Sequence, residues 1–203
     1  MTLNLSTKLQ LILSRAVLWL GVSLFTCVSA RAADLERYRI DPDHTFTFFE
    51  YKHWGLSLQR GRFDRSTGSV EIDFEARTGK VVLEIETGSI STGVGLFDNR
   101  LKSSQFFDSE RFPKIVFTSN RLIFDEQNNL QALEGLLRIK DVSKVVRFDL
   151  HHFHCRFMPL YFARACGANG SAKILRSEFD LGSYAPFVSD EVTLWFNLEA
   201  IKE

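Results

Sequence analysis

The chain has 203 residues, 45% hydrophobic and 25% charged, with 12 glycines and 4 prolines, a balance that excludes disorder and fibrous repeats and fits one globular domain. Lys plus Arg equals Asp plus Glu at 25 each, and no basic stripe forms locally, so nucleic acid is not a partner. The 19 phenylalanines exceed what the core of one small domain requires, and an apolar cavity is one use for the surplus.

Lys8 and Arg15 precede an uncharged run from Ala16 to Ala30, and small residues recur around Ala32 and Ala33. Cationic, apolar and small-residue segments in that order read as a secretory signal peptide over residues 1–32, cleaved after Ala32. A membrane anchor is the weaker reading, because the run of 15 residues is short of the roughly 20 that span a bilayer. A lipoprotein signal through Cys27 is weaker still, since Phe25 and Thr26 stand where small residues are wanted. The mature chain, residues 33–203, loses Lys8, Arg15, Arg31 and no acid, and is therefore mildly acidic. It is expected in the periplasm, without stable membrane insertion. Export leaves Cys155 and Cys166 in an oxidising compartment, where they are expected to pair.

From Tyr38 onward apolar and polar residues alternate with period two, the spacing of half-buried strands. Thr45 to His53 is the first long candidate. Val70, Ile72, Phe74 and Ala76 then alternate with acids and Arg77, and Val81, Leu83 and Ile85 alternate with glutamates, so the two segments form a hairpin turned near Gly79. Leu96 to Phe107 is the one helical candidate, with Leu96, Phe97, Arg100, Leu101 and Ser104 on a shared face. Strands follow at Lys114 to Leu122, Leu130 to Ile139, Val145 to Cys155, Ser171 to Arg176 and Val192 to Ile201. Short turns between them suit antiparallel neighbours. The expected fold is all-β, about eight antiparallel strands in one domain. A barrel with room for one slender ligand and a flattened sandwich with a filled core both satisfy the alternation, and the phenylalanine surplus favours the barrel.

Five segments in order resemble the YceI family of secreted lipid-binding proteins: Tyr38 to Thr45 (YRIDPDHT); the block containing SIST from Ser89, NRLKSSQFFD from Asn99 and RFPKIVF from Arg111; GLLRIKDVSK from Gly135; ILRSEFDL from Ile174; and VSDEV from Val188. Together they span nearly the whole mature chain. The resemblance implies an extended, lipocalin-like antiparallel β-barrel whose tunnel holds a long polyisoprenoid or isoprenoid-quinone chain, and binding rather than catalysis. It also implies a disulfide in the loop that Cys155 and Cys166 would close, and a b561-type membrane cytochrome as a candidate partner; a homodimer is a further candidate assembly. Asp141 and Asp180 depart from the family pattern, each standing where glycine is usual, and Gln105 stands where an acid precedes the Phe pair.

On the resemblance, the tunnel lining includes Phe49 and Tyr51 on one strand, Leu83 and Ile85 on the next, and Ile115 with Phe117 on a third. It continues through Leu137 and Ile139, then Phe148 and Leu150, and ends on Leu194 and Phe196. Taken singly, each is as readily a core residue touching its neighbours. Gly135, in mid-strand, leaves room for a ligand or for a bend. His151, His152 and His154 offer a metal only two imidazoles on one strand face, with no acid to complete a site. His44 is expected to order its strand through hydrogen bonds. Neither a phosphate loop nor a nucleophile elbow is present, and Asp98 with Arg100 reads as a cap of the short helix or an anchor of the loop. No catalytic residue, metal or cofactor is expected, only a bound isoprenoid lipid. The rival reading is a filled sandwich acting as an interaction module for a membrane redox protein.

Overall fold

A computed structural model describes residues 34–203. The signal-peptide reading of residues 1–32 lies outside the described residues. The strands are β1 (Glu36–Ile40), β2 (Phe46–His53), β3 (Ser57–Phe63), β4 (Ser66–Asp73), β5 (Thr78–Glu86) and β6 (Ile90–Ser91), followed by helix α1 (Gly95–Lys102). After α1 come β7 (Lys114–Phe124), β8 (Leu130–Ile139), β9 (Val142–Met158), β10 (Ala163–Leu175) and β11 (Val188–Lys202).

All neighbouring strands run antiparallel, and β1 pairs with both β4 and β11, which closes an eight-stranded barrel in the order β1-β4-β5-β7-β8-β9-β10-β11. Closure leaves no free ladder on the ring, so no strand edge is offered to another chain there. β11 serves two partners along its length: residues 200–202 hold β1, and residues 188–197 hold β2. β2, β3 and β6 therefore extend the wall past the closed ring at one end, and α1 follows directly on β6. Toward the other end Tyr38 and Ile72 are buried, at 2% and 3% exposure.

The period-two alternation places one face of every ring strand inward, and the inward residues form a single hydrophobic cluster. Several boundaries differ from the sequence reading for local reasons. The β4–β5 turn lies at residues 74–77 and not at Gly79, which pairs with Ile72 inside the ladder. The Asp73 carboxylate accepts from the amides of Glu75 (3.0 Å) and Ala76 (2.8 Å), and Arg77 takes the positive φ that the turn requires. Helix α1 stops at Lys102 and does not reach Phe107, because Ser103 turns extended and its hydroxyl donates to the Arg100 carbonyl at 2.7 Å. In the two-residue β8–β9 turn the positive φ falls on Lys140 (55°), not on Asp141. Asp180, by contrast, does adopt the left-handed conformation (φ 55°, ψ 32°) at the end of the 3-10 turn Arg176–Phe179.

β3 was not legible as a strand. Its first four residues are exposed, so Ser57-Leu58-Gln59-Arg60 carries no inward-outward contrast. It forms because β2 supplies a complete ladder, from Thr47 opposite Phe63 to His53 opposite Ser57. The intervening turn puts positive φ on Trp54 (53°) and Gly55 (67°), and the Trp54 ring stacks on Phe187 at 4.4 Å.

Candidate lipid cavity

The barrel is hollow. A cavity of about 520 Å³ runs inside it, within the size range of small-molecule binding sites. Its lining is almost wholly apolar, and this is where the phenylalanine surplus is used: Phe49, Phe63, Phe107, Phe117, Phe148 and Phe196 all border it. The rings of Phe117, Phe148 and Phe196 meet edge to face in sequence, at 5.0 Å and 5.6 Å between centroids, the preferred geometry of aromatic pairs. The expected barrel is thereby found, with an internal space, and the rival filled sandwich is not.

Two glycines set the shape of the wall. Gly61 lies opposite Phe49 and Gly170 opposite Phe196, and a Cβ at either position would meet the facing ring at 2.3 Å and 2.8 Å respectively. Each ring therefore lies down over its glycine instead of standing into the cavity. Gly135 has a different role: a Cβ there would meet the Thr118 carbonyl oxygen at 2.3 Å, next to the irregular register between Ser119 and Arg121. It answers a close approach of two backbones, so the bend reading holds and the ligand-room reading does not.

All the residues nominated from sequence border this cavity except Leu150, which lines a second void of about 50 Å³ on the side away from the opening. Val81, Leu133, Phe196 and Leu198 border both spaces and form the partition between them. The second void also touches Cys166, so the disulfide lies at the end remote from the opening. Cys155 and Cys166 are directly opposed on β9 and β10 and are bonded to each other.

The sequence reading missed the opening. It is formed by Phe97 and Arg100 of α1, by Ser183 and Tyr184 of the segment between β10 and β11, and by His53 and Gln59 at the β2–β3 turn. Arg100 donates to the Tyr184 hydroxyl, which holds that phenol below its ordinary value, with Gln105 adding to the effect at 3.5 Å. The Tyr184 ring also stacks on Phe106. Asp98 anchors the loop before α1, accepting from the Thr92 amide and hydroxyl at 2.7 Å each. Arg176, only 7% exposed, organises the segment opposite: Nε donates to Ser189 O and Nη2 to Val188 O (both 2.8 Å), while Nη1 donates to Ser183 O (2.7 Å) and Leu181 O. Burial pulls its pKa down, opposed by Asp190 and Tyr51. A charged residue inside ILRSEFDL was the available signal for this role.

His151, His152 and His154 stand outside the cavity. His151 Nε2 lies 2.7 Å from Ser171 Oγ with its ring against Trp195, and the rings of His152 and His154 are 6.4 Å apart on the surface. Among the described residues no three potential metal ligands come together, and no helix is long and apolar enough to cross a membrane. His44 Nδ1 lies 2.9 Å from Asp41 Oδ2 in the 3-10 turn between β1 and β2.

Known proteins share this architecture. The chain is 31% identical over 191 residues to a UPF0312 protein of Pseudomonas aeruginosa, covering 93% of this chain and 97% of the relative. It is 28% identical over 183 residues to Protein YceI of Salmonella heidelberg, covering 89% and 93%. Among solved structures, Burkholderia cenocepacia BcnA superposes with a TM-score of 0.66 at 20% identity, over 79% of this chain and 98% of that one. A domain from Saccharophagus degradans, described as polyisoprenoid binding and implicated in plant cell wall breakdown, superposes with a TM-score of 0.60 at 16% identity, over 82% and 98%. The model of the YceI-like domain matches residues 38–200, from the first strand of the ring to the last, and the chain belongs to the YceI-like family.

Proposed function

We propose that the protein binds a long polyisoprenoid or isoprenoid-quinone chain in the barrel cavity and serves in the periplasm as its carrier or store. The observation that carries this reading is the apolar cavity of about 520 Å³ inside a closed barrel, open beside α1. Transfer of isoprenoid surface from water to such a lining yields roughly 25 cal/mol per Å², enough over several hundred Å² for micromolar or tighter binding after the ordering costs of association. The Saccharophagus degradans domain, described as polyisoprenoid binding, supports the reading through its shared fold. The residues proposed to touch the chain are Phe49, Tyr51, Leu83, Ile85, Ile115, Phe117, Leu137, Ile139, Phe148, Leu194 and Phe196, with Leu150 reached only beyond the partition.

The role is binding and not catalysis, and the occupant is cargo rather than a cofactor. No Asp or Glu stands among the described residues that line the cavity, so a carboxylate pair is not available to move protons there. A b561-type cytochrome or a second copy of the chain would meet the barrel from outside.

Native mass spectrometry of protein taken from the periplasm without detergent tests the reading. The expected result is a discrete added mass that solvent extraction resolves to a polyprenyl chain, on a polypeptide beginning at Ala33. A bare protein from which no added polyisoprenoid displaces an apolar fluorophore would overturn it.

A further inference from the structure

The charged groups that border the cavity, Arg100 and Arg176, lie toward its opening. Tyr51 and Gln59 are directly opposed across β2 and β3, and both border the cavity. The Tyr51 ring stacks on Phe49, but among the described residues its hydroxyl has no hydrogen-bond partner. Burial pushes that phenol up, and the nearby Arg176 charge opposes the shift.

Arg176 borders the same space. A guanidinium carries five N–H donors, and four of them go to the carbonyls of Leu181, Ser183, Val188 and Ser189. The fifth, on Nη2, has no partner among the described residues. Asp190, the acid that acts on Arg176, spends its own oxygens on the Ser177 amide (2.8 Å) and hydroxyl (2.6 Å). Across the opening, Arg100 likewise makes no ion pair among the described residues: it donates to the neutral Tyr184 hydroxyl and lies 5.8 Å from that ring's centroid. Two guanidinium groups thus border the cavity, and no carboxylate borders it among the described residues. The inner end is lined by the apolar Val81, Leu133, Phe117, Phe148 and Phe196, and its one polar group among the described residues is the buried Thr47 hydroxyl opposite Phe196, a neutral group that carries no charge for an anion.

Resting on the lipid-binding reading above, we propose that the cargo is an acidic amphiphile with a single long tail. Its tail points to the Phe117-Phe148-Phe196 end, and its oxyanion head, a phosphate or a carboxylate, is held at the opening by Tyr51 and Arg176, with Arg100 on the facing rim. A guanidinium already stripped of water loses little more when an anion arrives, and its spare N–H with the Tyr51 O–H gives the head two donors inside a low-dielectric wall. A headless hydrocarbon would leave both donors unmet.

The experiment compares ligands that share one tail. Farnesene, farnesol, farnesoic acid and farnesyl phosphate are titrated against the mature protein carrying N-phenylnaphthylamine as a displaceable probe. The two anions are expected to bind about tenfold or more tighter than farnesol and farnesene, the advantage shrinking as salt is raised. Farnesoic acid ahead of farnesyl phosphate marks a carboxylate head, and the reverse order a phosphate. Tyr51→Phe and Arg100→Gln, each checked for an unchanged melting profile, are expected to lower the ratio of anion to farnesene affinity several-fold. Arg176 is left intact because it holds the segment from Leu181 to Ser189. Four ligands that bind within twofold of one another would overturn the head site and leave the lipid cavity standing. Failure of all four to displace the probe would overturn both.

Discussion

Asp41 accepts from the Asp43 amide at 3.0 Å and pairs with the exposed His44 imidazole, and the hydrogen bond to its carboxylate holds that imidazole above its ordinary value of 6.5. A raised folded-state pKa contributes stability that is fully present below 6.5 and is lost as pH rises through the folded value. Titration of His44 by NMR should therefore give a pKa above that of a free histidine, and Asp41→Asn should bring it down. A second residue-scale prediction concerns Asp180, whose left-handed backbone favours glycine. Asp180→Gly should raise stability by about 0.5–1 kcal/mol in urea unfolding, the strain of an L residue in that conformation less the added freedom of the unfolded chain. The resemblance to a family pattern made this position legible, since glycine is usual there. The same comparison pointed to Asp141 in the β8–β9 turn, but the positive φ belongs to Lys140 next to it. A residue swap in a pattern marks a turn without saying which of its two residues bends.

Most of the long strands were legible because their alternation is strong and each has one buried face. β10 was legible only from Ser171, because Ala163 to Asn169 is rich in alanine and glycine and half-buried throughout, without an inward-outward contrast. β3 and β6 were not, because Gln59 and Arg60 are placed by their partner strand and because two residues, Ile90 and Ser91, are too few to show a period. The lining followed from the family resemblance laid over that alternation, while the opening did not, because it is assembled from a helix, a turn and an irregular segment with no shared spacing. Gly61 gives this scale its own test. Gly61→Val should drive the Phe49 ring off its backbone seat and into the cavity, weakening displacement of an apolar fluorophore by a polyisoprenoid by about tenfold or more while costing roughly 1–3 kcal/mol of stability. Equal affinity in the variant would mean that Phe49 does not limit the bore. The β9–β10 hairpin is tied by Cys155 and Cys166 near its far end. Replacing both by serine should cost about 2–3 kcal/mol on the entropic account of a short closed loop, read as a lower urea midpoint. Because the bond lies beyond the partition, the affinity of the main cavity for apolar ligands should stay within twofold.

For the molecule as a whole, a closed ring of strands resolves two demands that an open sheet cannot meet together. It leaves no unpaired ladder on the ring, and it lets the inward faces stay apart instead of collapsing on one another. Leu137 tests this balance: Leu137→Asp sets a charge on the cavity wall, where a hollow barrel should lose affinity for apolar ligands by more than about tenfold while keeping its strand signal in circular dichroism. Complete unfolding of that variant would mean that the wall there is solid core.

The partition of Val81, Leu133, Phe196 and Leu198, at which the main cavity stops, governs time as well as space. A tail in a blind bore can leave only by backing out through the entrance, and nothing can push it from behind. Every further carbon threaded inward adds roughly 0.8 kcal/mol to the work of withdrawal and slows escape about fourfold. Residence would then grow geometrically with tail length, so that short chains come and go while long ones stay, and the protein works as a clock that sorts its cargo by how long each is retained. Exchange half-lives measured across a polyprenol length series would trace that law directly.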